Sequence, residues 1–249
     1  MNYSNFRLSK QNVSSMPKTK ILDCLTLYAC PNKFRLGNER DGGYIIAELD
    51  VKYDIILGGG VGNDIGFEKI FTEKYDISAV VFDGTERSGF KLTENEPNIL
   101  YKNLNISQNN TSTTTNWANY FAIYNNMFIK MDIEGAEWQY FNALPNQYLL
   151  KIAQLTIEFH FPRTPHHFKV LEKIARTHYL IHFHANNNNQ IIFNVEGIHL
   201  PAVFECTYVR KDLVSTLSLN KENLPTKLDI PNVKSKPDHI INFLPFVHR

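Results

Sequence analysis

The ten residues from Ile129 to Trp138 read IKMDIEGAEW and place four ionisable side chains where an apolar strand gives way to a helix. Met127 to Ile129 form a short apolar run that suits a buried strand, and the residues after Gly135 begin an amphipathic helix. Side chains alternate along a strand, so Lys130 and Asp132 share one face at its end. Burying two charges is costly unless they are paired or used in chemistry. The junction therefore predicts either a structural ion pair or a reaction site at the carboxyl end of a strand.

Apolar runs alternate with segments of helical period along the rest of the chain, which is typical of a mostly parallel sheet with helices on both faces. The predicted core strands are Tyr53–Leu57, Ile77–Phe82, Ile99–Leu104, Met127–Met131, Ile152–Phe159, Tyr179–His184 and Val203–Val209. The predicted helices are Phe67–Lys74, Trp117–Tyr124, Ala136–Leu144 and His166–Arg176, and a further helix and the strand-like YIIAEL precede Asp50. We interpret Asn186 to Gln190 as a hairpin tip that joins the last two strands, because Asn tolerates left-handed turn geometry.

Length and composition indicate one soluble globular domain. The chain has 249 residues, and its 26 basic side chains nearly cancel its 25 acidic ones, so no broad charge favours nucleic acid or an anionic membrane. No stretch approaches the roughly 18 apolar residues of a membrane span. Three cysteines without CxxC spacing suit a reducing compartment, so we predict a cytoplasmic protein. Within the single domain 1–249, residues 1–50 form an N-terminal segment and residues 214–249 a tail that packs on the body.

A second informative segment runs from Asp54 to Asp64, DIILGGGVGND, where a strand leads straight into a glycine-rich turn. Neither phosphate-binding pattern fits, because the sixth residue counted from Gly58 or from Gly60 is not glycine and no Gly-Lys-Ser/Thr follows. Gly58, Gly60 and Gly62 still allow the backbone to approach a ligand closely. Asp64 would repel a pyrophosphate but would accept a ligand with positive charge. A ligand-binding loop and a tight structural turn remain equally good interpretations.

The next predicted strand ends in Asp83-Gly84-Thr85, with Asp83 twenty-one residues after Gly62. In nucleoside-binding βαβ units an acidic residue at about that distance accepts hydrogen bonds from ribose hydroxyls. A turn or helix cap is the structural alternative. Because the carboxyl ends of neighbouring parallel strands meet at one edge of a sheet, we expect the glycine turn, Asp83 and the Lys130 strand to face one site.

These residues resemble the FkbM-like branch of S-adenosylmethionine-dependent methyltransferases. The resemblance rests on KMDIEGAE at Lys130–Glu137, supported by RDGGY at Arg40–Tyr44, GVGNDIGFE at Gly60–Glu68, FDGT at Phe82–Thr85 and IEFH at Ile157–His160. It covers about Arg40 to Arg210, with the motifs in the order that the family has them. The chain departs from many methyltransferases in two ways. Two extra glycines, Gly58 and Gly59, come before the motif at Gly60, and no acidic residue directly precedes them.

The resemblance implies a Rossmann-like three-layer sandwich of the class I methyltransferase type, with a seven-stranded, mostly parallel sheet and Val203–Val209 as its reversed last strand. It also implies S-adenosylmethionine as cofactor and O-methylation of small hydroxylated compounds as activity. In such a site Asp83 would hold the ribose diol next to Gly84 and Thr85, and Asn105 would contact the adenine edge. The other implied contacts are Gly58, Gly60 and Gly62 for the methionine part with Asp64 beside them, Asp132 for its ammonium or the substrate, and Arg40 or Tyr44 for its carboxylate or as a cover.

Methyl transfer to a hydroxyl also needs a base within about 3 Å, and His is the side chain best suited to that role near pH 7. We predict His160 as this base, with a hydrogen-bonded core histidine as the alternative. It follows Glu158 on the same face of the fifth strand, beside the strand with Lys130 and Asp132, so the four side chains could surround one pocket. The predicted site contains no metal, although Asp132, Glu158 and His160 also offer ligands that Mg²⁺ or Mn²⁺ accepts.

The sequence therefore predicts an S-adenosylmethionine-dependent O-methyltransferase. The acceptors usual in the family that the chain resembles, together with an Asn-, Lys- and Ile-rich composition, suggest that the acceptor is a sugar hydroxyl. The sugar would be linked to a nucleotide and used for a surface polysaccharide. We expect a small-molecule substrate, no nucleic acid and no membrane span, and a homodimer is compatible with the sequence. One alternative is a nucleotide-dependent oxidoreductase, which the failed GxGxxG pattern disfavours. The other is a non-catalytic nucleoside-binding subunit, which the set Lys130, Asp132 and His160 disfavours.

Overall fold

The computed structural model of the protein describes residues 7–9, 17–39, 41–85 and 96–249. Its strands are β1 (Arg7–Ser9), β2 (Tyr28–Ala29), β3 (Lys33–Leu36), β4 (Tyr44–Ala47), β5 (Ile55–Gly59), β6 (Ala79–Phe82), β7 (Ile99–Lys102), β8 (Asn105–Ile106), β9 (Thr114–Thr115), β10 (Met127–Met131), β11 (Ile152–His160), β12 (His178–Ala185), β13 (Ile191–Val195), β14 (Ile198–Pro201), β15 (Val203–Arg210) and β16 (Ser218–Leu219). Its helices are α1 (Lys18–Cys24), α2 (Gly66–Tyr75), α3 (Ala118–Ile123), α4 (Glu137–Ala143), α5 (Asn146–Leu149) and α6 (Pro165–Ala175), and a 3-10 helix covers Lys211–Leu213.

Seven strands form the central sheet in the order β12-β15-β11-β10-β5-β6-β7. Strand β15 pairs antiparallel with both β11 and β12, and the other neighbours pair parallel. The predicted fold class is thereby confirmed, since the sheet is mostly parallel and its reversed strand is the one that the family resemblance implied. Each of the seven predicted core strands overlaps one strand of this sheet.

The sheet carries a hydrophobic core on each face, because side chains alternate along each strand. On one face, Ile129 belongs to a core with Phe141 of α4 and Leu171 of α6. On the other face, Phe128 belongs to a core with Phe71 of α2. A large apolar side chain contributes about 1.5 to 3 kcal/mol when fully buried, so these two cores hold the helices on the sheet. The result is a three-layer fold in which the helices cover the faces of the sheet but not the ends of its strands.

The first core strand is displaced by two residues from its predicted position. β5 covers Ile55–Gly59 because Gly58 and Gly59 continue the ladder opposite Lys130 and Met131 of β10. Glycine is a poor strand former, so the apolar pattern ended the prediction too early. The tight turn after this strand therefore begins at Gly60.

The prediction that Asn186 to Gln190 joins the last two sheet strands as a hairpin tip is wrong. These residues lead from β12 into β13, which pairs with β14 and with β1 in a separate three-stranded sheet before the chain returns as β15. An Asn cluster marks a change of chain direction but does not specify the element that follows.

The chain after residue 214 lies against the sheet. Leu224 and Phe246 are buried in the same core as Ile129, and β16 pairs with β2. Among the described residues, no helix has both the length and the apolar composition that crossing a membrane requires.

Candidate active site

A cleft opens at the carboxyl ends of β5, β6 and β10. From β5 the strand order runs to β6 on one side and to β10 on the other, and ligands of open α/β sheets bind at such a switch point. The cleft has a volume of about 470 Å³, and a neighbouring cavity has a volume of about 210 Å³. Gly60, Asp83 and Asp132 line both. Asp83 and Asp132 therefore face one shared space.

The turn after β5 contains two left-handed glycines with different surroundings. Gly60 has φ +74°, and a Cβ there would lie 1.6 Å from the carbonyl oxygen of Asp132. Gly62 has φ +50°, and a Cβ there would meet no described residue within 4 Å. The first glycine lets two loops touch, and the second presents bare backbone to the cleft.

Asp83 follows β6 and fixes the glycine turn. Its Oδ2 accepts a hydrogen bond from the Gly62 N–H at 2.8 Å. Its Oδ1 accepts hydrogen bonds from the N–H and the hydroxyl of Thr85 at 2.8 and 2.6 Å. These hydrogen bonds hold the Asp83 carboxylate in place at the border of the cleft.

The smaller cavity is mostly apolar and lies next to Asp83. Its further lining residues are Phe82, Thr85, Leu104, Asn105, Ile106, Ile133, Glu134 and Ala136. Asn105 also lies against Gly84, where a Cβ would come within 2.6 Å of the amide side chain. A mostly apolar slot that is bordered by an amide and by carboxylates is an arrangement that suits a base and its ribose.

Lys130 is buried and pairs with Glu68 of α2. Its Nζ lies 3.3 Å from Glu68 Oε1 and 5.6 Å from the centre of the Tyr44 ring. Gly58 faces Lys130 in register, and a Cβ at Gly58 would lie 2.6 Å from Glu68 Oε1. Gly58 therefore makes room for this carboxylate instead of bordering the cleft. Burial lowers the pKa of Lys130, but the charges of Glu68 and Asp132 outweigh it, so the pKa is raised and the ammonium stays charged.

Glu137 organises the EGAE turn and the ring of His160. Its Oε1 accepts hydrogen bonds from the N–H groups of Ile133 and Gly135 at 3.2 and 3.1 Å, and it lies 3.0 Å from His160 Nδ1. Two left-handed residues, Glu134 at φ +56° and Gly135 at φ +105°, turn the chain back so that these contacts form. With Nδ1 held by a buried carboxylate, the ring orientation is fixed.

Asp132, Glu158 and His160 form what we call the His160 cluster. His160 Nε2 lies 3.8 Å from Asp132 Oδ1 and 3.6 Å from Glu158 Oε2, and Glu134 adds a carboxylate oxygen at 3.5 Å. Glu158 is buried, and its Oε1 accepts a hydrogen bond from the Asn186 amide at 2.6 Å. Three of the four predicted catalytic side chains thus meet at one point.

Negative charge dominates the His160 cluster. Burial raises the pKa of Asp132 to about 6, although the charges of Lys130 and His160 oppose the shift. Burial also raises the pKa of Glu158 well above its ordinary value, and the charges of Asp132 and Glu205 add to this. Burial lowers the pKa of His160, but the Glu137 hydrogen bond and the surrounding carboxylates outweigh it and raise the pKa overall. The arrangement stabilises a positive charge at Nε2.

The remaining predicted residues lie around the cleft. Tyr44, Asp64 and Thr85 line it, as does Lys130. Asp64 also contacts the Asn38 amide and accepts a hydrogen bond from the Gly66 N–H at 2.8 Å, just before α2 begins. Arg40 lies outside the described residues.

Glu68 and Glu137 belong to this site and were not among its predicted residues. The place of Glu137 after a Glu-Gly turn is a signal for a carboxylate that reaches back to the turn. The sequence signal for Glu68 is weaker. Gly58 opposite Lys130 leaves room for a partner of the lysine, but it does not indicate which residue that partner is.

Comparisons with known proteins add little to this geometry. No family model matches the chain, and no curated protein matches it. One solved structure that matches is described as a "putative methyltransferase" from Thermoplasma acidophilum, with 13% sequence identity and a TM-score of 0.34. The match covers 66% of this chain and 70% of that chain. At this TM-score the likeness carries no functional conclusion, and the FkbM resemblance stays a prediction from the sequence motifs.

Proposed function

We propose that the protein is an S-adenosylmethionine-dependent O-methyltransferase. The observation that carries the proposal is the space shared by Asp83 and Asp132, which is apolar around Leu104 and charged around Lys130. A nucleoside whose tail is a charged amino acid without phosphate matches this arrangement. Its base would lie in the apolar part, its amino acid in the charged part, and its ribose between them. The strand order and the motif at Lys130–Glu137 support the same proposal.

The cofactor supplies an electrophilic methyl group on a sulfonium centre. Asp83 would bind the ribose diol, and the slot around Leu104 and Asn105 would take the adenine. The bare backbone at Gly62 would lie along the methionine part, where a Cβ meets no described residue. Asp132 would bind the ammonium group.

The charge of the cleft argues against a dinucleotide. Its lining carboxylates are Asp41, Asp64, Asp83, Asp132 and Glu134. The lysine that lines it, Lys130, is already paired with Glu68. A pyrophosphate there would meet like charges, whereas a sulfonium and an ammonium would meet opposite ones.

We place the acceptor hydroxyl at the His160 cluster. With the cofactor bound, its methyl group would pass from sulfur to the hydroxyl oxygen, so that a methyl ether and a neutral thioether would form. The hydroxyl proton passes to Nε2 of His160, and the Glu137 carboxylate at Nδ1 stabilises the imidazolium that forms. Holding oxygen, carbon and sulfur in line supplies most of the rate enhancement.

We propose a sugar as the acceptor, carried by a nucleotide in the cytoplasm and used for a surface polysaccharide. The FkbM resemblance supports this choice. Polar side chains around the His160 cluster, such as Glu134 and Asn186, suit a polyhydroxylated acceptor. Three free cysteines fit a reducing compartment.

A transfer assay tests this proposal. Purified protein is incubated with methyl-labelled S-adenosylmethionine and a panel of nucleotide-linked sugars, and products are identified by mass spectrometry. We expect label on one sugar hydroxyl, and no transfer by the Asp83→Asn variant. Conversion of a nicotinamide dinucleotide instead would support an oxidoreductase. Cofactor binding without transfer to any acceptor would support a nucleoside-binding subunit.

A further inference from the structure

The three side chains of the His160 cluster come from the ends of two neighbouring strands and present mixed donors to one point. Asp132 follows β10, and Glu158 and His160 lie on β11. One ligand atom of each lies within 4.8 Å of the ligand atoms of the other two. Two carboxylates and an imidazole are a donor set that Mn²⁺ and Mg²⁺ accept.

The distances are close to those around an octahedral cation. Ligand atoms about 2.1 Å from such an ion lie about 3 Å apart when adjacent and about 4.2 Å apart when opposite. His160 Nε2 lies 3.8 Å from Asp132 Oδ1 and 3.6 Å from Glu158 Oε2, which is between these two values. Small rotations of the side chains would complete the geometry without moving either strand.

The other atoms of the His160 cluster are held by neighbours, which leaves the inward atoms available. Glu137 holds His160 Nδ1, and Asn186 holds Glu158 Oε1. A carboxylate behind a ligating histidine is the usual support in metal sites. Asp132 Oδ1 is buried, and among the described residues it has no hydrogen-bond partner. A buried carboxylate oxygen without a partner is costly, and a cation would satisfy it.

We propose that the His160 cluster binds a divalent cation, Mn²⁺ or Mg²⁺, at the acceptor side of the cleft. The imidazole ligand favours Mn²⁺ of the two. The role of the cation rests on the proposed function. When a cation is bound, Nε2 of His160 would coordinate it, and the cation would take over from His160 the activation of the acceptor hydroxyl by making that hydroxyl more acidic.

A titration with Mn²⁺ alone tests the site. Metal-free protein, without cofactor or acceptor, is titrated with MnCl₂ while calorimetry and electron paramagnetic resonance measure bound and free Mn²⁺. We expect one ion per chain. The Glu158→Gln and His160→Gln variants should bind at least about tenfold more weakly. The control is Glu73→Gln, which removes the same charge from an exposed position of α2 and should leave the affinity unchanged.

Thermal melts establish that each variant is folded, and Asp132→Asn provides a third test position if one of the others unfolds. Absence of saturable Mn²⁺ binding by the wild type would overturn the proposal. Equal weakening in Glu73→Gln would also overturn it, since Mn²⁺ would then respond to the net charge of the protein and not to a specific site. Because the titration contains no S-adenosylmethionine, a failed methyl-transfer assay does not alter its outcome.

Discussion

At the scale of single residues, Lys130 shows how a charge is kept in the interior. Its ammonium is buried against Glu68, and Gly58 supplies the space that the carboxylate needs. The pair borders the cleft without belonging to the His160 cluster. Its charge adds to the field at Asp132, whose pKa it lowers against the effect of burial.

We predict that Glu68→Gln destabilises the protein by about 3 to 5 kcal/mol, because it leaves the Lys130 charge buried without a partner. The double variant Glu68→Leu with Lys130→Met should recover most of that loss. Urea unfolding measures both. The control is Glu48→Gln at the solvent-exposed Lys74–Glu48 pair, which should have a much smaller effect. Equal losses at the two pairs would contradict the interpretation.

His160 carries the second prediction at this scale. His160→Ala should bind S-adenosylmethionine as tightly as the wild type, because the ring lies on the acceptor side of Asp132. Its turnover number should fall by about 100-fold or more, since the acceptor hydroxyl loses the group that activates it. Calorimetry and steady-state kinetics measure the two quantities. Wild-type turnover in this variant would reject a catalytic role for His160.

At the scale of elements, the turn after β5 contains one glycine that is needed for packing, Gly60, and one that faces the proposed ligand, Gly62. Gly60→Ala should cost about 4 kcal/mol or more, because the new Cβ meets the Asp132 carbonyl oxygen at 1.6 Å. Gly62→Ala should cost only about 1 to 2 kcal/mol for its left-handed backbone. Urea unfolding distinguishes them. The Gly62 variant should remain folded and bind cofactor more weakly, since its Cβ projects into the cleft; unchanged cofactor affinity would contradict the assignment of this turn.

Elements with strong apolar runs were predictable from the sequence, but the side-chain contacts between elements were not. Met127–Met131 was predicted to the residue, because five residues with a buried apolar pattern end at a charged junction. The pairing of Lys130 with Glu68 depends on how α2 packs on the sheet, which no local pattern encodes. The hairpin β13–β14 was missed because its short strands alternate weakly with polar residues. The meeting of Asp132, Glu158 and His160 followed from strand order, which the FkbM resemblance implied.

At the scale of the whole molecule, the C-terminal tail is tied to the edge strand β12 by buried ion pairs. His184 Nε2 lies 3.0 Å from Asp238 of the tail, and its Nδ1 lies 3.5 Å from Glu205 of β15. The tail also reaches the cleft side, since Asn232 donates hydrogen bonds to Glu205 and Asp41 at 2.9 and 3.2 Å. The single-domain prediction for residues 1–249 stays a prediction beside these contacts.

These contacts predict a pH-dependent stability. Burial lowers the pKa of His184, but the hydrogen bonds to Asp238 and Glu205 outweigh it and raise the pKa to about 11. The histidine therefore stabilises the fold fully below its ordinary pKa of about 6.5, and the stabilisation is lost as the pH rises towards 11. The free energy of unfolding should fall by up to about 1.4 kcal/mol per pH unit across this window.

His184→Gln should remove this slope, and His166→Gln, on an exposed residue of α6, should keep it. Denaturant unfolding between pH 6.5 and pH 10 measures the slope. The same slope in wild type and His184→Gln would show that another group is responsible.

The most direct measurement is a calorimetric titration of S-adenosylmethionine into the wild type, Asp83→Asn and Asp50→Asn. Asp83 lines both parts of the cleft, whereas Asp50 is exposed between β4 and β5. The account predicts saturable binding by the wild type and by Asp50→Asn. Asp83→Asn should bind about 10- to 100-fold more weakly, because charge-assisted hydrogen bonds to the ribose are lost. No binding by the wild type, or undiminished binding by Asp83→Asn, would contradict the account.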